Sequence, residues 1–291
     1  MPTITQRLML LAAAIVGVWF AALAQGPLRL ADGSTGVILS LSIYGATPAW
    51  LTLLGLTLAV APLAWWVSST GSVLSGPTVL ALAYLGLRSG LGPVDPKLWH
   101  GAPRELFGRW VVEGLGWSAL IVCVGLAATA GRTWLRPRAP RRLRSPTCDP
   151  GTGLEIGALR GWVAAAAIAV TGLLVSAVLV RTPTSGQTWL GLMTGFGVVA
   201  ALMQAGARSP NVLPMLAAPS LGLAIGHGWA VVRYGSWTRD ELLAEHFIGR
   251  APAILWASPA DAASAGLLGV CLGLGVAHVA IAPNRGPRVA A

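Results

Sequence analysis

Glu113 is an ionisable residue within a long apolar stretch, and it is the only acidic residue within any of the predicted membrane spans. Arg109, four residues earlier, lies on the same helix face and can form an ion pair with it. Charged groups are costly in lipid, so those that occur there usually face a cavity and serve a function. Two interpretations stay open: an ion pair at the mouth of a helix, or a gate or binding residue for a cationic or polar ligand.

A second candidate site surrounds His227, whose apolar stretch also contains Pro214 and Pro219. A proline inside a helix leaves a carbonyl without its usual amide partner, and membrane proteins often build binding sites at interrupted helices. The same stretch carries small residues at four-residue steps from Ala218 to Ala230, which is typical of close helix packing. We expect packing more than a ligand or gating role here, although a kinked helix can do both.

Metal and cofactor chemistry have little support in the sequence. In the eight-span topology His227 lies near the outer end of its predicted span and His278 near the inner end of another, so they cannot share one haem. His100 and His246 lack the HxxxH or HExxH spacing of common metal sites. We therefore predict no cofactor, no metal site and no catalytic set of residues.

Membrane-spanning helices would position these residues. Of 291 residues, 55% are hydrophobic and 10% are charged, against roughly a quarter charged in soluble domains. A bilayer core about 30 Å thick needs roughly 20 apolar residues per helix. Eight stretches come close to this length, and the first also fits a cleaved secretory signal. The sequence therefore predicts an all-α polytopic bundle with spans at 8–25, 47–67, 72–88, 110–130, 161–180, 187–206, 212–232 and 262–283.

The distribution of charge predicts the orientation of the spans. If the N-terminus lies inside, the inner side carries eleven basic and two acidic residues, and the outer side carries nine basic and eight acidic residues. Basic residues collect on the cytoplasmic side, so we expect both termini in the cytoplasm, most simply at a bacterial inner membrane. The net charge of +10 then reflects orientation, and we expect no nucleic-acid partner. We expect anionic lipid to contact six inner arginines: Arg132, Arg136, Arg138, Arg141, Arg142 and Arg144.

The two halves of the chain on either side of a basic segment share four short sequence matches in the same order, and we call these matches anchors. The alternative is chance similarity in a chain rich in Ala, Gly and Leu. The anchors are the Ala-rich runs after Arg7 and Arg160, Trp50-Leu51 with Trp189-Leu190, the segments after Pro77 and Pro210, and Gly108-Arg109 with Gly249-Arg250. They predict a 4+4 parallel repeat with a first half at 1–130, a cytoplasmic linker at 131–159 and a second half at 160–291.

Two motifs predict helix starts in the second long outer loop. Thr238 and Glu241 have the spacing of a capping box, and Leu242 to Ile248 would give this short helix an apolar face suited to the headgroup layer. The segment Ser258 to Asp261 resembles an N-cap with proline in the first helical position, and it predicts the start of the last span.

Three functions agree with these patterns. We favour a non-enzymatic membrane component, such as a scaffold or a complex subunit, that binds protein partners through small-residue helix faces. A transporter or permease for a neutral or weakly polar solute is the alternative, because repeats and interrupted helices are common in transporters. Charge-coupled transport is disfavoured because the predicted interior holds few charges. An enzyme acting on lipid at the outer face through Glu105, Glu113, Glu245 or His246 is the third.

Overall fold

A computed structural model describes residues 4–25, 28, 46–70, 72, 74–91, 101–135, 159–207 and 212–281. Structural statements below concern these residues. Arg132 lies in a described helix, whereas Arg136, Arg138, Arg141, Arg142 and Arg144 fall outside the described residues. Their contact with anionic lipid therefore stays a prediction.

The described residues form nine helices and one 3-10 turn. The helices are α1 Ile4–Leu23, α2 Ala46–Thr70, α3 Ser75–Leu91, α4 Pro103–Leu135, α5 Leu159–Leu179, α6 Ser185–Ala207, α7 Leu213–Tyr234, α8 Arg239–Phe247 and α9. The last helix, α9, begins with Pro259–Asp261, passes through a π-helical turn at Ala262–Gly266 and ends with Leu267–Ile281. The 3-10 turn at Ala253–Trp256 precedes it.

Seven helices are long and apolar enough to cross a membrane, namely α1, α2, α4, α5, α6, α7 and α9. The predicted helical bundle of about eight spans is confirmed, and α3 is the helix that falls short, with 17 residues. Because α3 packs against α1, α2 and α9, many of its side chains contact protein instead of lipid. Val79, Ala83 and Tyr84, for example, are almost completely buried. This environment explains why its sequence is less hydrophobic than that of the other spans.

Several helix contacts recur in the N-terminal and C-terminal parts of the bundle, although α2 packs against α3 far more extensively than α6 packs against α7. In the N-terminal part α1 packs against α2 and α3, and α2 packs against α4. In the C-terminal part α5 packs against α6 and α7, and α6 packs against α9. The two parts meet through α4 with α7 and through α3 with α9.

Glycines bring α6 and α9 into backbone contact. A Cβ atom placed on Gly273 would lie 2.0 Å from the carbonyl oxygen of Gly197, and one on Gly269 would lie 2.2 Å from that of Met193. Gly222 of α7 meets α5 in the same way, at 2.4 Å from the carbonyl oxygen of Ala169. The small-residue patterns in these helices therefore serve close packing within the chain, as expected.

Candidate functional site: a buried ion-pair cluster

The start of α9 holds the carboxylate of Asp261 in a fixed position. Ser258 is the N-cap, and its hydroxyl oxygen accepts a hydrogen bond from the backbone N–H of Asp261 at 3.3 Å. In return Asp261 Oδ2 accepts from the backbone N–H of Ser258 at 2.7 Å and from its hydroxyl at 2.8 Å. Pro259 occupies the first turn, where no amide donor is needed. The predicted helix start is confirmed.

Arg88, in the last turn of α3, pairs with this carboxylate although it is 173 residues away in the sequence. Its Nε donates to Asp261 Oδ1 at 2.8 Å and its Nη2 donates to Oδ2 at 3.3 Å. Trp189, at the start of α6, donates from Nε1 to Oδ1 at 2.7 Å. Arg88, Trp189, Ser258 and Asp261 together form what we call the ion-pair cluster. It joins three helices from both parts of the bundle.

The ion-pair cluster corrects the expectation that the interior holds few charges. Both charged side chains of the pair are 2% exposed. Asp261 lies within the last candidate span, Pro259–Ala280, and Glu105 lies within another, Pro103–Ala127, so Glu113 is not the only acidic residue in a span. The expected span began one residue after Asp261, and the capping motif at its start was read only as a helix signal. Nothing local in the sequence indicates a partner 173 residues away.

Burial determines how much this ion pair contributes to the stability of the chain. Two charges lose their hydration when buried, and their attraction offsets that cost only with good geometry and further hydrogen bonds. Asp261 meets this condition, since five hydrogen bonds from Arg88, Trp189 and Ser258 reach its two oxygens. Arg88 meets it less fully, because its buried Nη1 has no hydrogen-bond partner among the described residues. Removing either charge would leave the other buried and uncompensated.

A π-helical turn follows Asp261 directly. The backbone N–H of Leu267 donates to the carbonyl oxygen of Ala262, five residues earlier. Ser264 donates from its hydroxyl to the carbonyl oxygen of Ala260 at 2.7 Å. All five residues of the turn, Ala262–Gly266, are buried. Such turns are rare and are frequently found at functional sites.

The prolines of α7 behave differently from each other. Helix α7 begins at Leu213, so Pro214 lies in the first turn, where a helix tolerates proline. Pro214 therefore does not interrupt the helix, which corrects the expectation that both prolines do. Pro219 lies inside α7 and is buried. Its side chain contacts Gly266, so the π-helical turn of α9 faces the proline of α7.

His227 lies in an aromatic environment near the end of α7. Its ring stacks on Phe107 with centroids 6.0 Å apart and lies 4.9 Å from Trp110, while Trp256 lies 6.2 Å from Phe107. We call Phe107, Trp110, His227 and Trp256 the aromatic cluster. The backbone carbonyls of Leu255 and Ala257 approach the imidazole, but neither ring nitrogen meets hydrogen-bond geometry with a described residue. His227 is fully buried, as a packing residue would be.

Glu113 and Arg109 lie on α4 in different environments. Glu113 is buried, one turn from Trp110 and one turn from Trp117. Arg109 is partly exposed and forms an ion pair with Glu105. The ion pair expected between Arg109 and Glu113 stays a prediction, as does the ligand or gating role of Arg109, Glu113, Pro214, Pro219 and His227.

Helix α8 reaches the aromatic cluster through His246, whose ring centroid lies 5.8 Å from that of Trp256. Its capping box is present, with Thr238 accepting from the backbone N–H of Glu241 and Glu241 accepting from that of Thr238. The predicted short helix is confirmed. Leu242 is buried, whereas Phe247 and Ile248 are exposed. The expected apolar face is therefore divided between a buried part and an exposed part.

Among the described residues, no group of three or more His, Cys, Asp and Glu side chains could hold a metal ion. His100 and Asp95 lie outside those residues. Comparison with models of known protein families, with curated protein sequences and with solved structures finds no match to this chain.

Proposed function

We propose that this membrane protein is a non-enzymatic component, a scaffold or a subunit of a larger membrane complex. The observation that carries the proposal is the state of Asp261, whose two oxygens receive five hydrogen bonds from residues of its own chain. A carboxylate has about four acceptor sites, so one that is occupied in this way has little capacity left to bind a substrate. Here the buried charge is used to join α3, α6 and α9 instead.

The recurring helix contacts support the division into a four-helix half at 1–130 and another at 160–291, joined by the cytoplasmic linker 131–159. A rigid body of this kind presents its outer helix faces to lipid and to partners. Apolar residues at helical spacing on α1 are exposed, including Leu8, Leu11, Ile15 and Trp19. Both termini in the cytoplasm and a bacterial inner membrane remain part of the proposal, as does contact of the inner arginines with anionic lipid.

A helix of a partner protein can pack closely only against small residues that are not already packed against another helix of this chain. Gly197, Gly269 and Gly273 are occupied by contacts within the chain. Around Gly55 of α2 and Gly275 of α9, in contrast, the described part of the chain places no neighbouring atom within 4 Å of an added Cβ. We infer that a partner helix approaches at one or both of these positions.

Native mass spectrometry of the chain, extracted from its own membrane in mild detergent, tests the scaffold proposal. We expect a complex that contains a second polypeptide in fixed stoichiometry, and we expect Gly55→Leu or Gly275→Leu to remove that polypeptide. The melting temperature should stay unchanged because neither position is packed. A bare chain of unchanged mass, with both variants fully active in complementing a deletion strain, would contradict the proposal.

A transporter for a neutral or weakly polar solute is the second candidate. It is supported by the ring nitrogens of buried His227, neither of which meets hydrogen-bond geometry with a described residue, and by Pro219 opposite a π-helical turn. His227→Phe keeps the aromatic packing and removes both nitrogens. If the phenotype of the chain is lost in this variant while its abundance and melting temperature are kept, the histidine contacts a solute. Full complementation by His227→Phe and Pro219→Ala leaves packing as the role of α7.

The enzyme hypothesis has a direct test as well. Alanine at Glu105, Glu113, Glu245 and His246, introduced one at a time, should leave complementation intact if the chain does not catalyse a reaction on lipid. Loss of complementation in a variant that keeps its abundance would favour the enzyme.

A further inference from the structure

We propose that the π-helical turn of α9 aims Asp261 at Arg88 and thereby forms a latch between the N-terminal and C-terminal helices. The latch consists of the ion-pair cluster, and the turn is the element that positions it. This inference rests on the geometry of α9 and holds for a scaffold and a transporter alike.

The first step of the argument is rotation. A π-helical turn contains one residue more than the α-helical turn it replaces, as the bond from Leu267 to Ala262 shows. An α-helix advances by about 100° per residue. The extra residue therefore rotates Pro259–Asp261 by about 100° relative to Leu267–Ile281. In an uninterrupted α-helix Asp261 would lie on another face of α9 and would not meet α3.

The second step is what holds the turn. Ser264 supplies a side-chain hydrogen bond to the carbonyl oxygen of Ala260, within the backbone that the turn distorts. Gly266 lies against Pro219, and a Cβ at this position would come within 2.6 Å of the proline Cβ. The turn is therefore supported by its own serine and by a close contact with α7. A movement of α7 at Pro219 would act on the turn directly.

The third step is the unequal satisfaction of the two charges. Asp261 receives hydrogen bonds from its own helix cap, from Trp189 and from Arg88. Arg88 keeps one buried donor, Nη1, without a partner among the described residues. A turn that aimed Asp261 elsewhere would therefore leave the guanidinium buried without its carboxylate.

Deletion of Ala263 from the full-length chain tests the latch, because it removes the extra residue of the turn. Two readouts are measured in detergent: the melting temperature and the indole ¹⁵N–¹H signal of Trp189, assigned with Trp189→Phe. We expect the deletion to shift the Trp189 signal as Asp261→Asn does. We also expect it to lower the melting temperature by roughly 10 °C, the effect of breaking a buried ion pair.

A compensating insertion provides the matched control. A glycine inserted between Asp261 and Ala262 restores the residue count of the turn, and it keeps Ser264 four residues after Ala260 and Gly266 opposite Pro219. In the deletion background this insertion should restore both readouts. In the Asp261→Asn background, the deletion should cause no further fall in melting temperature, since the pair it would break is already absent.

Three results would overturn the proposal: an unchanged Trp189 signal in the deletion variant, no rescue by the inserted glycine, or additive effects of the deletion and Asp261→Asn. If the deletion variant does not fold, Ser264→Ala takes its place. This milder change removes only the hydroxyl that supports the turn. It should shift the Trp189 signal in the same direction, and in the Asp261→Asn background it should have no effect on the melting temperature. An unshifted Trp189 signal together with a further fall in melting temperature in that background would again overturn the latch.

Discussion

At the residue scale, Arg88 and Asp261 show how a single charged pair behaves inside a bundle that lies in lipid. Neither side chain reaches solvent, so the pair cannot exchange its protein partners for water. The pair is held by direct bonds and by Trp189, which reaches the same carboxylate from α6. Loss of one member therefore differs from loss of a surface charge, because the remaining charge stays buried.

Arg88→Met should destabilise the chain by about 3–5 kcal/mol, since it leaves the Asp261 carboxylate buried with only neutral donors. Unfolding in mixed micelles, followed by circular dichroism, measures this change. The double variant with Asp261→Asn should lose less than the sum of the two single variants, because the second change removes the uncompensated charge.

Arg250→Met is the matched control for this prediction. Arg250 also pairs with an acidic residue, Glu245 at 3.6 Å, but its side chain is 74% exposed. Exposed pairs contribute about 0–1 kcal/mol. Equal losses of unfolding free energy for the variants at Arg88 and Arg250 would show that burial is not the reason why the Arg88 pair stabilises the chain.

At the element scale, α6 and α9 illustrate packing that depends on the absence of side chains. In lipid, helices gain little from hydrophobic burial against each other, so close backbone contact and hydrogen bonds supply much of the association. Gly197, Gly269 and Gly273 provide that contact. Gly275 lies two residues after Gly273, and no atom of the described residues comes within 4 Å of a Cβ added there. The close backbone contact is therefore confined to one face of α9.

Gly273→Ala should therefore destabilise the bundle by about 1–3 kcal/mol, the usual cost of overpacking. Its new Cβ would meet the carbonyl oxygen of Gly197, which belongs to a helix backbone and cannot move aside easily. Gly275→Ala, at an open position, should be neutral or stabilising by up to about 1 kcal/mol. Thermal unfolding of both variants in one detergent gives the comparison, and a smaller loss for Gly273→Ala than for Gly275→Ala would contradict the packing.

Helix α8 depends on its cap more than on length, because it has nine residues. Isolated helices this short are marginal in water. Thr238→Ala removes the bond to the backbone N–H of Glu241 and should cost about 1 kcal/mol. Hydrogen exchange should quicken in α8 by roughly five-fold while α7 and α9 stay unchanged, and uniform quickening across all three helices would show that α8 does not open alone.

At the scale of the whole molecule, two helix pairs provide the most extensive contacts between the N-terminal and C-terminal parts among the described residues, and α4 adds a smaller contact with α9. The first pair is α4 with α7, where a Cβ added to Gly114 would lie 3.0 Å from the Cβ of Ala224. The second pair is α3 with α9, which the ion pair of Arg88 and Asp261 connects. Both pairs combine helices from different predicted halves. The two halves should consequently recognise each other without the linker.

Separate expression of 1–145 and 146–291 in one cell tests this recognition. We expect the two fragments to purify together from detergent extracts, since the contacts between the halves among the described residues lie in α3, α4, α7 and α9. Arg88→Met in the first fragment should weaken the complex, whereas Arg250→Met in the second should not. Fragments that never purify together would contradict the division into two interacting halves.

The orientation of the molecule has its own test, by labelling of single cysteines in intact cells. Cys148 is first replaced by serine so that it does not react. Ser236→Cys should then react with an impermeant maleimide, because the charge distribution places it outside, and Ser145→Cys should react only after lysis. Labelling of position 145 from outside would reverse the topology.

Local sequence patterns predicted the helices, the caps at Thr238 and Ser258, and the close packing along α7 and α9. They did not predict the candidate site. Arg88 and Asp261 each lie at the edge of an apolar stretch, where a charged residue usually contacts water or headgroups. The π-helical turn at Ala262–Gly266 also has no signal of its own, since its composition suits an ordinary helix.

The sequence by itself determined that this chain is a bundle of apolar helices, because hydropathy, caps and small-residue spacing act within one or two turns of the backbone. Only the tertiary structure decided that Pro219 lies inside a helix opposite Gly266, that α3 is enclosed by other helices, and that Asp261 meets Arg88. Those features depend on which helices touch and at what rotation. Such contacts join residues far apart in the chain, and no periodicity within either segment records them.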